Sequence, residues 1–170
     1  MINIQPDGFK SLICVQCKGK LDPSFLTSDQ ITCPACQQQY PVVNSIPILI
    51  DEKRSIFSFQ DFLDRRNLFF DISRNGKIVA LISKLIPSMG GNNLGRRNFK
   101  NIEQLLLQLE ALEKPRVLVL GGSIIGEGMH EFVQSKNLEI VEGDVSFGPR
   151  TKIIFDAHSI PFENDSFDCV

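Results

Sequence analysis

Four cysteines in two tight pairs constrain this chain more than any other feature. Cys14-Val-Gln-Cys17 and Cys33-Pro-Ala-Cys36 are separated by fifteen residues. Two residues between cysteines allow a tight knuckle that aims both thiolates at one metal ion, and two knuckles complete a tetrahedral S4 site with Zn–S distances of about 2.3 Å. With sulfur at all four positions there is no open coordination place, so the metal's role is structural. The intervening Lys18-Gly19-Lys20 brings turn residues and positive charge beside a doubly negative ZnS4 centre. A disulfide pairing would need an oxidising compartment, and the start Met-Ile-Asn-Ile-Gln-Pro-Asp-Gly has neither the basic start nor the apolar core of a secretory signal. A redox-active pair would sit in a thioredoxin-like βαβ setting, which this stretch lacks. In so small a block the metal should contribute most of the folding free energy.

The 170 residues suffice for one ordinary domain or two small ones, and 42% hydrophobic with 22% charged residues is globular composition. A net charge of −2 provides no global basic field for nucleic acid. Charge is unevenly spread: residues 1–50 balance to zero, 51–100 carry +5 and 101–170 carry −7. The middle block reads as a solvated amphipathic helix face or as a guide for an anionic substrate. Apolar runs such as Ile48–Ile50 and Ile78–Ile82 are too short to cross a bilayer. A cytoplasmic protein without membrane partners is expected.

Three regions follow: a cysteine-rich block at 1–51, a helical linker region at 52–98, and an α/β block at 99–170. Phenylalanines at 57, 59, 62, 69 and 70 among charges suggest one or two short helices, and 77–86 another, stopped by Pro87. Ser88-Met-Gly-Gly-Asn-Asn-Leu-Gly95 reads as turn and linker. Residues 98–113 are the clearest helix, with Asn98 as cap, Phe99, Ile102, Leu105, Leu106, Leu109 and Leu112 at helical spacing, and Pro115 after its end.

From residue 116 the rhythm becomes strand, turn, helix, strand. Val117–Leu120 is a continuous apolar run, as in a strand buried on both faces. It breaks at Gly121-Gly122-Ser123 before an expected helix at 127–135. Further strands are expected at 139–142 and 152–155, with a fourth beginning at Phe167. Such alternation argues for a parallel α/β sheet. The small residues of a glycine turn between strand and helix let backbone approach a ligand, while the N-terminus of the helix that follows offers free N–H groups; the same turn also serves simple tight packing. Asp144, 23 residues after Gly121, stands where a carboxylate can accept from both hydroxyls of a ribose.

Two resemblances sharpen these readings. Leu12-Ile-Cys14-x-x-Cys17-Lys18-Gly19-x-Leu21, Ile31-x-Cys33-x-x-Cys36 and Tyr40-Pro41-Val42-x-x-x-Ile46-Pro47-x-Leu49 together resemble the zinc ribbon of small methyltransferase-activator subunits, across about residues 9–51. Asn44-Ser45 stands where that family usually has a glycine in the turn, a mild change because Asn tolerates turn conformations. Asp156-Ala157-His158-Ser-Ile160-Pro161-Phe162, followed by Ser166-Phe167-Asp168-Cys169-Val170, is similar to class I S-adenosylmethionine-dependent methyltransferases of the type 11 group. With the glycine turn and Asp144, that likeness covers about residues 99–170.

The implied fold is α/β: a zinc ribbon followed by the N-terminal half of a Rossmann-like methyltransferase fold, a parallel sheet with helices. The implied cofactors are a structural Zn2+ on Cys14, Cys17, Cys33 and Cys36, and S-adenosylmethionine. By the same resemblance Gly121, Gly122, Ser123 and Gly126 would face its methionine and ribose part. Asp144 would hold the ribose, while Asp156 and the Ala157 backbone would recognise the adenine edge. Val119 stands where the family usually has an acidic residue, and Ser123 where a second glycine is common. The family's domain continues past the fourth strand with substrate-contacting elements, so the chain reads as a truncated form.

No catalytic residue is evident, as suits an in-line methyl transfer that needs positioning more than acid–base groups. The acceptor is expected to be a small molecule or saccharide, with RNA as a further candidate. A non-catalytic zinc-ribbon binding protein with a protein partner is the rival reading. His158 is either a pocket residue or a surface loop histidine. His130 reads as exposed and inert, and Cys169 as a small buried hydrophobe.

Overall fold

Residues 6–22, 28–65, 91–123, 125 and 129–170 are described by a computed structural model of the chain. The expected helix at 77–86, Phe69, Phe70, the residues around Pro87, and Gly126 with its neighbours Glu127 and Gly128 lie outside the described residues. Among the described residues six strands form one sheet: β1 (Gln30–Thr32), β2 (Gln39–Val43), β3 (Ile46–Leu49), β4 (Arg116–Leu120), β5 (Glu139–Asp144) and β6 (Ile153–Phe155), in the order β1-β2-β3-β6-β5-β4.

The N-terminal strands are antiparallel, with Ile31 opposite Tyr40 and Val42 opposite Pro47. The two residues joining β2 to β3 are Asn44 and Ser45, at φ 52° and 63°. Both central residues of a tight hairpin turn need this left-handed backbone to match strand twist, so the pair fills the turn without a glycine. β3 then runs parallel to β6, placing Ile48 beside Ile154 and Leu49 beside Phe155. β6 and β5 are parallel, as are β5 and β4, with Leu118 beside Val141. The cysteine-rich and α/β blocks therefore share one sheet, a continuity that no local pattern announced.

Side chains alternate across the strands. On one face Leu49, Leu118, Val141, Ile153 and Phe155 join Phe9, Leu12, Cys14, Val15, Leu21, Cys33, Tyr40 and Phe162 in a single buried cluster. The cysteine-knuckle block thus covers this face. The opposite face carries helices. Helix α1 (Phe59–Arg65) opens with a reciprocal cap, because the Asp61 N–H donates to Ser58 Oγ while Asp61 Oδ2 accepts from the Ser58 N–H. It buries Phe62 against Ile48, Ile50 and Ile154. Helix α2 (Gly91–Glu110) sets Ile102, Leu105, Leu106 and Leu109 on Val117, Leu138 and Phe132, the last from helix α3 (His130–Gln134).

Several expectations need correction. The long helix begins at Gly91, not at Asn98, and ends at Glu110. Each added residue closes one more backbone bond once a packed face holds the helix, so propagation overruns the weak Gly-Asn stop signals. Leu112 falls past the end and is 48% exposed. Helix α3 is shorter than expected over the described residues. The segment from Phe167 is not a strand but a single parallel bridge, Val117 to Cys169, with the Leu118 N–H donating to the Cys169 carbonyl at 3.0 Å. Neither edge of the parallel strands is bare: this backbone lies along β4, and β3 covers β6.

Arg116 ties both ends of the described chain to β4. Its guanidinium donates to Glu139 Oε1 at 3.0 Å, the Ser166 carbonyl at 2.7 Å and the Gly8 carbonyl at 3.1 Å. It also stacks over the Phe167 ring, using the planar fork and weak hydration that distinguish arginine from lysine.

Candidate metal centre and cofactor site

The two knuckles are built alike. In each, the N–H of the residue following the second cysteine (Lys18, Gln37) bonds at 2.9 Å to the carbonyl of the first cysteine (Cys14, Cys33). Lys18 and Gln37 share φ 62°, a left-handed step that folds the loop back on itself. Gly19 is needed for closeness: a Cβ there would lie 3.0 Å from Ala35 Cβ and 3.3 Å from Cys17 Sγ.

These turns bring the four sulfurs within 4.8 Å of one another, with Cys14–Cys36 and Cys17–Cys33 both at 3.6 Å. A tetrahedron with 2.3 Å metal–sulfur bonds has edges of about 3.8 Å, so donor set and spacing both fit. The cluster can hold a zinc ion. Cys14 and Cys33 face the core, while Cys17 and Cys36 are exposed.

The buried Tyr40 hydroxyl lies 3.0 Å from Cys14 Sγ. Burial disfavours the Cys14 thiolate, but bonds from Tyr40 and the Cys17 and Gln16 backbone outweigh it and draw the thiol down to about 7. At Cys36 the Gln38 N–H favours the thiolate, yet desolvation and the neighbouring sulfurs push the thiol up to about 12. Four thiolates this close repel unless a cation neutralises them.

At the other site, the glycine turn, Asp144 and Asp156 stand at or just past the carboxyl ends of β4, β5 and β6, which are adjacent parallel strands. Gly121 has φ +73° and nothing within 4 Å of where a Cβ would be, so it is required by conformation and borders open space. Gly122 packs inward against Val119 and Glu142, while Ser123 is buried beneath Gly148. The N–H groups of Gly121 and Gly122 reach the Gly143 carbonyl at 2.9 and 3.3 Å, and that of Ser123 reaches Asp144 Oδ2 at 3.1 Å. All three amides of the turn are engaged, because a tight turn over a parallel strand pair satisfies its own amides; the expected start of the following helix, where free N–H groups are expected, includes Gly126, Glu127 and Gly128, which lie outside the described residues.

Asp144 Oδ1 accepts from the Ser146 N–H and hydroxyl, at 3.1 and 3.0 Å. Asp156, 7% exposed, accepts at Oδ1 from the His158 N–H at 2.9 Å and at Oδ2 from Ser55 Oγ at 2.6 Å. The Ser55 hydroxyl, with the His158 N–H, holds its carboxyl below the usual range. Ala157 is exposed, as are His130 and the His158 ring, whose Nδ1 lies 2.7 Å from Asp156 Oδ1. Cys169 is half-buried against the α2 face of the sheet.

Two residues here escaped the sequence reading. Glu142, 3% exposed and paired with Arg150, sits directly beside Val119 in the β4–β5 register. It puts a buried carboxylate one strand away from Val119. Ser55 lies 101 residues from its partner Asp156, and no local signal marks such a pair. A separate open groove of about 810 Å³, lined by Ile13, Lys18, Phe162, Phe167 and Val170 among others, runs beside the first knuckle without including any of the cofactor-site residues. No protein-family model matches the chain, and no curated protein matches it. Among the described residues no helix is long and apolar enough to cross a membrane.

Proposed function

We propose that the chain carries a structural zinc on Cys14, Cys17, Cys33 and Cys36, and binds S-adenosylmethionine at the carboxyl ends of β4, β5 and β6 as part of a Rossmann-like methyltransferase. The observation that carries this reading is the convergence of Gly121, Asp144 and Asp156 on one end of three adjacent parallel strands. Ligands of open parallel sheets bind at that end. Four cysteines that stay reduced around a metal suit a cytoplasmic setting.

Bound there, the sulfonium supplies an electrophilic methyl group. Gly121 leaves room for close backbone approach, Asp144 holds the ribose hydroxyls, and Asp156 with the Ala157 amide reads the adenine edge. Ser146 and Ser123 hold the Asp144 carboxylate in one orientation, which reduces what a ligand must order. The acceptor is a small molecule or saccharide, with RNA ranked below it.

A second reading is favoured by the engaged amides of 121–123: a zinc-ribbon partner protein in which the parallel strands only support the ribbon. Calorimetric titration of S-adenosylmethionine into the zinc-loaded chain separates the two. Saturable binding that Asp144→Ala abolishes is expected; a folded chain that takes up no cofactor sinks the methyltransferase reading.

A further inference from the structure

The segment leaving the metal-binding block ends against the candidate cofactor site, and one hydroxyl makes the junction. β3 pairs with β6 through Leu49 and Phe155, so the chain leaving β3 and the residue leaving β6 emerge side by side. Asp51, 5% exposed, then reverses the chain: its Oδ1 accepts from the Lys53 N–H at 3.2 Å, and its carbonyl accepts from the Arg54 and Ser55 N–H groups at 2.9 Å. That loop delivers Ser55 Oγ to Asp156 Oδ2 at 2.6 Å, while the same hydroxyl accepts from the Phe57 N–H at 3.2 Å. With its hydrogen donated to Asp156 and its lone pair taken by Phe57, the hydroxyl has one orientation.

We propose that Ser55 is a positioning residue for base recognition, through which the turn leaving the cysteine-rich block fixes the Asp156 carboxylate. This rests on the cofactor reading above. Each oxygen of a carboxylate has two acceptor sites. The His158 N–H and ring occupy those of Oδ1, leaving Oδ2 with one site beside Ser55 for a further donor. A purine exocyclic amine is a donor; the 6-oxo group of a deaminated base is an acceptor and meets only repulsion there. An O–H···O⁻ bond at this distance is of the strong, charge-assisted kind, so it holds the carboxylate in the one rotamer that presents this site. Ser55 touches Asp156 rather than the ligand. Its signature is therefore loss of discrimination between bases as well as loss of affinity.

The test compares binding of S-adenosylhomocysteine and its 6-oxo analogue, S-inosylhomocysteine, to the zinc-loaded wild type, Ser55→Ala and Ser55→Thr chains, with zinc content and thermal unfolding measured alongside. Wild type should prefer the adenosyl compound. Ser55→Ala should bind it about tenfold more weakly, with the preference collapsing, while Ser55→Thr, which keeps the hydroxyl, should restore both. Ser55→Ala with wild-type affinity and preference overturns the assignment. So does a Thr variant that stays folded and zinc-loaded yet matches the Ala variant. A wild-type chain that binds neither compound overturns the cofactor reading itself and this assignment with it.

Discussion

Removing the metal should unfold the α/β block together with the cysteine block, in one transition. The cysteine block supplies Phe9, Leu12, Cys14, Val15, Leu21 and Cys33 to the cluster that covers Leu118, Val141, Ile153, Phe155 and Phe162. Each knuckle is closed by its own backbone bonds, but without the metal four clustered thiols have no bond joining one knuckle to the other, and the block loses the tie between its halves. The five α/β side chains would then face water, each costing about 1.5–3 kcal/mol, on the order of 10 kcal/mol together. Whole domains are stable by only about 5–15 kcal/mol, and structural zinc in small modules contributes on a similar scale. The sheet therefore cannot outlast the metal. The assay is chelator titration under reducing conditions, followed by circular dichroism and by amide hydrogen exchange resolved to β4 and β5. Protection at Leu118 and Val141 should vanish at the same chelator concentration as protection at Tyr40 and Val42. A metal-free chain in which Leu118 and Val141 stay protected while Tyr40 and Val42 exchange freely would refute the reasoning, since it would make the two blocks independent.

Gly143→Ala should destabilise the chain by about 1–3 kcal/mol or more by overpacking, because its Cβ would lie 2.1 Å from Cε1 of the buried Phe155 ring. Thermal unfolding of the zinc-loaded variant measures this, and Phe155→Leu in the same chain should recover part of the loss; a Gly143→Ala chain as stable as wild type contradicts the packing. Asp156→Asn should cost about 1–3 kcal/mol at neutral pH by weakening charge-assisted bonds. The Asp156 carboxyl is held below its ordinary value when folded, chiefly by Ser55 and the His158 N–H, so its contribution is present above the unfolded value of about 3.9 and lost as pH falls through the folded one. Denaturant unfolding from pH 7 downward should show a constant gap between variant and wild type to about pH 4; a gap that widens in acid reverses the sign.

The local features were legible because each rests on near-neighbour geometry. The x2 spacing within each cysteine pair closes the knuckles whatever surrounds them, and the Asn44-Ser45 turn closes its hairpin by backbone conformation alone. The apolar runs at Val117–Leu120 and Ile153–Phe155 mark strands, the second fully buried and the first buried at Val117 and Leu118 but exposed at Leu120, and Ile102, Leu105, Leu106 and Leu109 mark a packed helix face. The glycine turn, Asp144 and Asp156 could be named from their places after such strands.

Tertiary structure decided what those pieces do to one another. Nothing in Ile46–Leu49 says that its free edge pairs with β6 rather than facing solvent; the edge is covered because unpaired backbone groups and an apolar face are both costly to leave exposed. That one pairing turns two apparent modules into a single sheet. It also fixes which face the knuckles bury, and it brings Ser55 to Asp156 across 101 residues. The same packing engages the amides of 121–123 and places Glu142 beside Val119. Sequence determined the cysteine knuckles and the strands because their physics is local, whereas the coupling between them arises from contacts between distant segments, which carry no periodicity to read.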